Sequence, residues 1–473
     1  MADIKFGTDG WRGIIGESFT FENARTVAQA AADYWREKGT AERGIVVGYD
    51  ARLLSSRCAE ELARVLAANG VRVFLTAKMV ATPVLSFAVR NLRAAGGLMV
   101  TASHNPADYN GIKFKGEYGG SALPETTRRI EELLGKNPVR RAEGFTPLIV
   151  RFNPDAEYLE HLRRMVNGEA IREAGLRVVV DPMHGSGRGY LKAFLQPLGV
   201  AVQEIRAFDN PGFGGAGPEP VPPNTRPLQQ AVLRWRADVG LALDGDADRL
   251  GAVDAKGNFV NPHCVYALLL RHLVEKRRWL GPAAKTFSTT VMVDRLGNRY
   301  SLPVYETPIG FKYICALFLK EDLLIGGEES GGISIRSHIP ERDGILAALL
   351  LLEAMAAARS PLHRLVESLR AEVGAYYYDR MDLPFSYSSR DFLMDALQEN
   401  PPQHLGPYAV AGCKVLDGVK LLLEEDSWLL FRPSGTEPRL RIYVEARGEK
   451  EVRQLLEEAQ RLYYRLKARG RNF

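Results

Sequence analysis

A short apolar run rich in β-branched residues, closed by a glycine-rich or charged loop, recurs along most of the 473-residue chain. It reads GIVVGYDAR at 44–52, GLMVTASHNP at 97–106, LRVVVDPMHGSG at 176–187, VGLALDGDADR at 239–249, LLIGGEESGG at 323–332 and WLLFRPSGTEP at 428–438. Between several of these runs lie stretches with apolar residues at helical spacing, such as FENARTVAQAAADYWREKG (21–39) and SRCAEELARVLAANG (56–70). Strands alternating with helices specify α/β layers, in which the loops at the carboxyl ends of the strands form the ligand crevice. The tail differs. YAVAGCKVLDGVKLLLEEDSWLLF holds an Asp417-Gly418 hairpin signal, and KEVRQLLEEAQRLYYRL closes the chain as an amphipathic helix. The expected fold is three α/β units followed by a smaller α+β domain, with candidate boundaries near 140–152, 252–258 and 366–376. NPGFGGAGPEPVPPN (210–224) is too rich in Pro and Gly for regular structure and is expected as a long loop in the second unit.

Composition narrows the function classes. A hydrophobic content of 46% with 25% charged residues suits a soluble chain with several cores. The net charge of +5 is spread without a basic block, which favours an anionic small molecule over nucleic acid. Cys58, Cys264, Cys315 and Cys413 lie far apart, with no metal-ligand spacing, and read as free thiols of a reducing cytosol. The segment ILAALLLLEAMAAA (345–358) is too short for a membrane span, carries Glu353, and is expected as a buried helix. No basic-then-apolar signal pattern opens the sequence, so a cytoplasmic protein without a membrane partner is expected.

The sharpest chemical signal is LDGDADRL (243–250). In an extended loop Asp244, Asp246 and Asp248 share one side, and three hard oxygen ligands suit Mg²⁺. An EF-hand does not fit, because Arg249 and Ala255 stand where that loop needs glycine and glutamate. FRPSGTEPRLR (431–441) offers Arg432, Ser434, Gly435 and Thr436 as a phosphate grip. GGEESGG (326–332) offers Glu328, Glu329 and Ser330 to adjacent sugar hydroxyls, although a turn of this composition is common. In VTASHNPADYNGIKF (100–114), Ser103 lacks the glycines of a hydrolase nucleophile elbow. A metal-assisted phosphoserine is the reading that links it to the aspartates. Three carboxylates and a dianionic phosphoserine sum to about −5, of which a divalent ion offsets two. Arg12, Lys113 and Arg249 are the cations available to offset the rest.

TASHNP, DGDADR, GEESGG and RPSGTEP, in this order and spanning nearly the whole chain, resemble the four motifs of the α-D-phosphohexomutase superfamily, the phosphoglucomutases and phosphomannomutases. The resemblance implies four domains around a central cleft: three similar α/β domains with mixed sheets and a smaller C-terminal α+β domain. Their expected spans are 1–146 for phosphoserine, 147–254 for metal, 255–370 for sugar and 371–473 for phosphate. By carry-over Ser103 bears the transferable phosphoryl group and, with Asp244, Asp246 and Asp248, touches Mg²⁺. Glu328 and Ser330 take sugar O3 and O4, and Arg432, Ser434, Gly435 and Thr436 hold the non-reacting phosphate. The implied activity moves a phosphoryl group between C1 and C6 of a hexose phosphate through glucose 1,6-bisphosphate. His104, Lys113 and Lys312 are the proton-transfer candidates, alongside Arg12 and Arg249 in the catalytic set.

Gly310-Phe311-Lys312 and SGG, with Gly332 in place of histidine, depart from the dual-specificity enzymes, and the GEQSGH of phosphoglucosamine mutases is absent. Phosphoglucomutase is therefore the first expectation, with phosphomannomutase or dual activity as the alternative and a metal-dependent serine phosphatase as a remote one. The expected partners are small hexose phosphates, and the expected assembly a monomer or dimer.

Overall fold

The computed structural model describes residues 4–7, 10–386, 389–434 and 438–469. The chain forms two compact units, one of Met1–Ala284 with Gly310–Val366 and the other of Lys285–Ile309 with Glu367–Phe473.

The first unit opens with a six-stranded sheet built from β1 (Trp11–Ile14), β2 (Ile45–Tyr49), β3 (Val73–Thr76), β4 (Gly96–Val100), β5 (Tyr109–Gly116) and β6 (Ile149–Phe152). Its order is β1-β5-β4-β2-β3-β6. Strands β2, β3, β4 and β6 run parallel, while β5 is antiparallel to both β4 and β1, so the sheet is mixed. Alternation along each strand gives it two apolar faces. On one, Ile45, Val47 and Leu98 pack under helices Phe21–Glu37 and Ser55–Ala68. On the other, Gly48 and Gly97 admit Leu85 and Val89 of helix Thr82–Asn91. Both long helices lie within about two residues of their expected bounds, and the Thr20 hydroxyl caps the first by accepting from the Asn23 N–H at 3.2 Å.

A second mixed sheet follows: β7 (Arg177–Asp181), β8 (Ala201–Glu204), β9 (Val239–Leu243), β10 (Leu250–Asp254) and β11 (Phe259–Val260), in the order β11-β10-β9-β7-β8. Strand β7 is parallel to β8 and β9, and β10 turns back antiparallel to β9. The 210–224 segment is irregular apart from one turn of 3₁₀ helix at Phe213–Gly215, as its composition predicts.

β12 (Ala283–Thr286) carries the chain into the second unit, which holds β13 (Val304–Thr307). After the return at Gly310, β14 (Ile325–Gly327) and β15 (Ile333–Ile335) pair as an antiparallel hairpin. The expected buried helix spans Gly344–Ala358, with every residue from Gly344 to Ala356 buried. Its Glu353 is satisfied internally, accepting from Arg277 Nε at 2.7 Å and facing His272 Nε2 at 2.8 Å. No single helix among the described residues is long and apolar enough to cross a membrane.

The second unit is dominated by an antiparallel sheet of β16 (Tyr377–Pro384), β17 (His404–Leu405), β18 (Tyr408–Val415), β19 (Val419–Leu423), β20 (Trp428–Pro433) and β21 (Arg439–Ala446). The order is β16-β21-β20-β19-β18-β17. Val415 pairs with Val419 across the Asp417-Gly418 turn, as the hairpin signal predicts. Helix Glu449–Arg469 places Val452, Leu455, Leu456, Ala459, Leu462 and Tyr463 in the core against this sheet.

Candidate active site

Each chemical loop leaves the end of a strand, and in the first unit several of them meet. Ser103 follows β4, is buried, and adopts φ +53°, a left-handed conformation unusual for a residue with a side chain. Its hydroxyl donates to Asp244 Oδ2 at 2.9 Å across 141 residues of sequence. His104 Nδ1 stands 3.5 Å from the same hydroxyl.

The aspartates converge, but not by the extended geometry expected of their spacing. The loop after β9 is a tight turn: the Ala247 N–H donates to Asp244 O at 3.1 Å, and Ala247 takes φ +58°. Asp244 Oδ1 accepts the backbone N–H groups of Asp248 (3.0 Å) and Arg249 (3.2 Å), which folds the loop around its own first carboxylate. Alternate residues of a turn do not share a side by pleating. Here the capping carboxylate and a left-handed alanine bring them together. The three residues are fully buried and offer carboxylate oxygens within 4.8 Å of one another.

Burial, then the charges of Asp248 and Asp246, push the Asp244 carboxyl well above the usual range. Burial also opposes ionisation of Asp246, but Lys113 and Thr82 hold that carboxyl below its usual range. Thr82 Oγ1 donates to Asp246 Oδ2 at 2.5 Å. Lys113 Nζ donates to Asp246 Oδ2 at 2.7 Å and Asp248 Oδ2 at 2.9 Å. Asp246 Oδ1 and Asp248 Oδ1 are buried without a hydrogen-bond partner. Two orphaned anionic oxygens in a cluster of hard ligands are the donor set that a divalent cation takes.

Lys113 reaches this cluster because β5 pairs with β4 in the register Met99 to Lys113. The β1–β5 register, Arg12 to Gly111, brings Arg12 to the serine loop, where its Nη1 donates to Asn105 Oδ1 at 2.6 Å. Arg249 lies at the edge, with Nε 3.8 Å from Asp248 Oδ1 and Nη1 3.6 Å from Glu219. Glu328 is buried in the β14–β15 turn, and desolvation lifts its pKa to about 7 against the pull of Arg342. Ser330 is half-buried in the same turn. Lys312 is the second residue of helix Phe311–Lys320, with Nζ 5.3 Å from the Tyr313 ring centroid.

The remaining candidates belong to the second unit. Arg432 Nε donates to Asp417 Oδ2 at 3.0 Å, and the Ser434 N–H donates to Arg439 O at 2.8 Å. Gly435 and Thr436 lie outside the described residues.

Sequence reasoning missed Arg342, whose Nη2 lies 2.8 Å from Asp248 Oδ2 and whose Nη1 donates to Glu328 Oε2 at 3.0 Å. It ties the acidic loop to the GEESGG turn. A Cβ on Gly332 would sit 2.2 Å from Arg342 Cδ, so the arginine stem fills the space a side chain at 332 would need. The available signal was the charged run HIPERDG (338–344) ahead of an apolar helix. Thr82, held far from the triad in sequence, carried no signal.

Known proteins resemble this chain along nearly its whole length. Residues 3–140, 156–257 and 261–373 match alpha/beta/alpha domains I, II and III of phosphoglucomutase/phosphomannomutase, and 399–462 match its C-terminal domain. A phosphoglucomutase/phosphomannomutase of Thermococcus kodakarensis is 30% identical over 455 residues, covering 96% of each chain. A probable phosphoglucosamine mutase of Methanothermobacter thermautotrophicus is 32% identical over 454 residues, again covering 96% of each. A crystal structure from Thermus thermophilus, provisionally assigned as a phosphomannomutase, superposes with a TM-score of 0.88 at 40% identity, covering 98% of this chain and 99% of that one. The chain belongs to the phosphoglucomutase/phosphomannomutase family, the phosphohexomutases, with three α/β domains carrying mixed sheets and a smaller C-terminal domain.

Proposed function

We propose that the protein interconverts glucose 1-phosphate and glucose 6-phosphate through a phosphoserine at Ser103 and glucose 1,6-bisphosphate. The observation that carries this reading is the Ser103 hydroxyl 2.9 Å from Asp244, within a buried three-aspartate cluster whose oxygens without a hydrogen-bond partner fit a divalent ion. Asp244, Asp246 and Asp248 would hold Mg²⁺, which when bound neutralises charge on the phosphoryl oxygens.

The transfer itself is a displacement at phosphorus. The P–O bond to Ser103 Oγ breaks as the free hydroxyl oxygen of the hexose monophosphate bonds to phosphorus. Ser103 Oγ takes up a proton, and the sugar hydroxyl gives one up. Lys113, fixed between two carboxylates, supplies positive charge there. We assign the proton transfer to His104, whose Nδ1 stands 3.5 Å from the reacting oxygen. The sugar then reverses, and its other phosphate returns to Ser103. Glu328 and Ser330 grip O3 and O4 in both orientations, while Arg432, Ser434, Gly435 and Thr436 hold the idle phosphate. In this reading the spans 1–146, 147–254, 255–370 and 371–473 supply phosphoserine, metal, sugar and phosphate functions in turn. Cys58, Cys264, Cys315 and Cys413 are not disulfide-bonded, which suits action in the reducing cytoplasm.

Substrate choice is carried by the SGG motif and Gly310-Phe311-Lys312, which favour glucose. The names of the relatives favour a second reading, in which mannose or glucosamine phosphates also turn over. The test is turnover of glucose 1-phosphate, mannose 1-phosphate and glucosamine 1-phosphate with Mg²⁺ and a trace of the matching 1,6-bisphosphate. The highest kcat/KM is expected for glucose 1-phosphate. No glucose 6-phosphate from glucose 1-phosphate would reject the reading.

A further inference from the structure

The mechanism makes no use of a buried ion pair, Asp50–Arg52, beneath the serine loop. Arg52 has no exposed side-chain surface, and its Nε lies 3.3 Å from Asp50 Oδ2. Its Nη1 donates to the carbonyls of Pro106 (2.7 Å) and Tyr109 (3.0 Å). Its Nη2 donates to those of Ser103 (2.7 Å) and Asn105 (2.6 Å). One guanidinium thus gathers four carbonyls from seven residues of loop. The carboxylate partner works on the same residue from the other side. Asp50 Oδ2 accepts from Thr101 Oγ1 at 2.6 Å, and Thr101 Oγ1 accepts the Ser103 N–H at 2.9 Å. Both the N–H and the C=O of Ser103 are therefore anchored, one by each end of the ion pair. Phe213 of the 210–224 loop covers the guanidinium, its ring centroid 4.8 Å from Cζ, which gives that Pro/Gly loop a task.

A left-handed residue with a Cβ costs roughly 1–2 kcal/mol and persists only where its surroundings over-determine it. We propose that the Asp50–Arg52 pair is the positioning device of the phosphoryl carrier: it holds Ser103 at φ +53°, so that Oγ points at Asp244. This rests on the reading of Ser103 as that carrier. A planar fork with five donors can serve four carbonyls, whereas a lysine ammonium, with three donors, cannot. A misplacement of about 1 Å at a reacting centre costs about 10²-fold in rate.

The test is kinetic. Arg52→Lys and Thr101→Val are expected to lower kcat at least about tenfold while KM for glucose 1-phosphate stays within about twofold, as mispositioning of a reacting atom does. Thr101→Ser, which keeps the hydroxyl, is expected to restore most of kcat. The Thr101 pair decides the matter should Arg52→Lys not fold. Folded variants with wild-type kcat, a rise in KM instead of a fall in kcat, or no difference between Thr101→Val and Thr101→Ser would overturn the proposal. Mass spectrometry of wild-type protein after incubation with glucose 1,6-bisphosphate separates the two claims. Absence of a phosphoryl group on Ser103 rejects the carrier reading, whereas its presence together with wild-type turnover in the variants rejects only the positioning role.

Discussion

Lys113 shows how one buried cation can serve both stability and chemistry. It faces two buried carboxylates at 2.7 and 2.9 Å, and two further carboxylate oxygens nearby have no hydrogen-bond partner. Removing one member of a buried ion pair typically costs about 3–5 kcal/mol, because the other charge is left uncompensated. Lys113→Met is therefore expected to lower the melting temperature in metal-free buffer and to recover more on adding Mg²⁺ than the wild type does. Thermal melts with and without Mg²⁺ check this. Equal Mg²⁺ shifts in the two proteins would contradict it. At this scale the sequence was informative where spacing is short, as in Asp244, Asp246 and Asp248. It was silent where a partner comes from a distant segment, as with Thr82 and Arg342, because nothing local marks a side chain whose role is set by tertiary packing.

The elements that carry the loops impose their own demands. The Asp244–Asp248 turn lies so close to the serine loop that a Cβ on Gly245 would stand 2.4 Å from the Ser103 carbonyl oxygen. Backbone cannot yield cheaply, so Gly245→Ala is expected to cost about 1–3 kcal/mol and to displace Ser103. A combined loss of stability and kcat, measured by denaturant titration and steady-state turnover, is the expected result. Helix Gly344–Ala358 makes a separate prediction. Burial would raise the Glu353 pKa, but His272 and Arg277 hold it at about 2, below an unfolded value of about 4.3. That stabilisation is complete above pH about 4.3 and is lost as pH falls toward 2. The stability gap between wild type and Glu353→Gln is therefore expected to narrow steadily across that window, and a gap unchanged over it would contradict the assignment. Strands and helices were legible from their periodicities. The compact turn at Asp244–Asp248 was not, since its shape depends on a left-handed alanine that no propensity would suggest.

At the scale of the whole chain, four motifs spread from residue 101 to residue 438 serve one reaction only if the fold makes them a set. The first unit joins the serine to the acidic cluster through Asp244, and that cluster to the GEESGG turn through Arg342. The second unit carries Arg432 and Ser434 on a sheet of its own. The order of motifs made the family legible in the sequence, whereas the setting of Gly332 was not, because it depends on the Arg342 stem, which fills the space of a side chain there. In the proposed reaction Ser103 carries the phosphoryl group between the two ends of the sugar. Phosphopeptide mapping after incubation with phosphate-labelled glucose 1,6-bisphosphate tests it most directly. Label is expected on Ser103, chased off by unlabelled glucose 6-phosphate and absent from Ser103→Ala along with turnover. Label on another residue, or full turnover by Ser103→Ala, would contradict it.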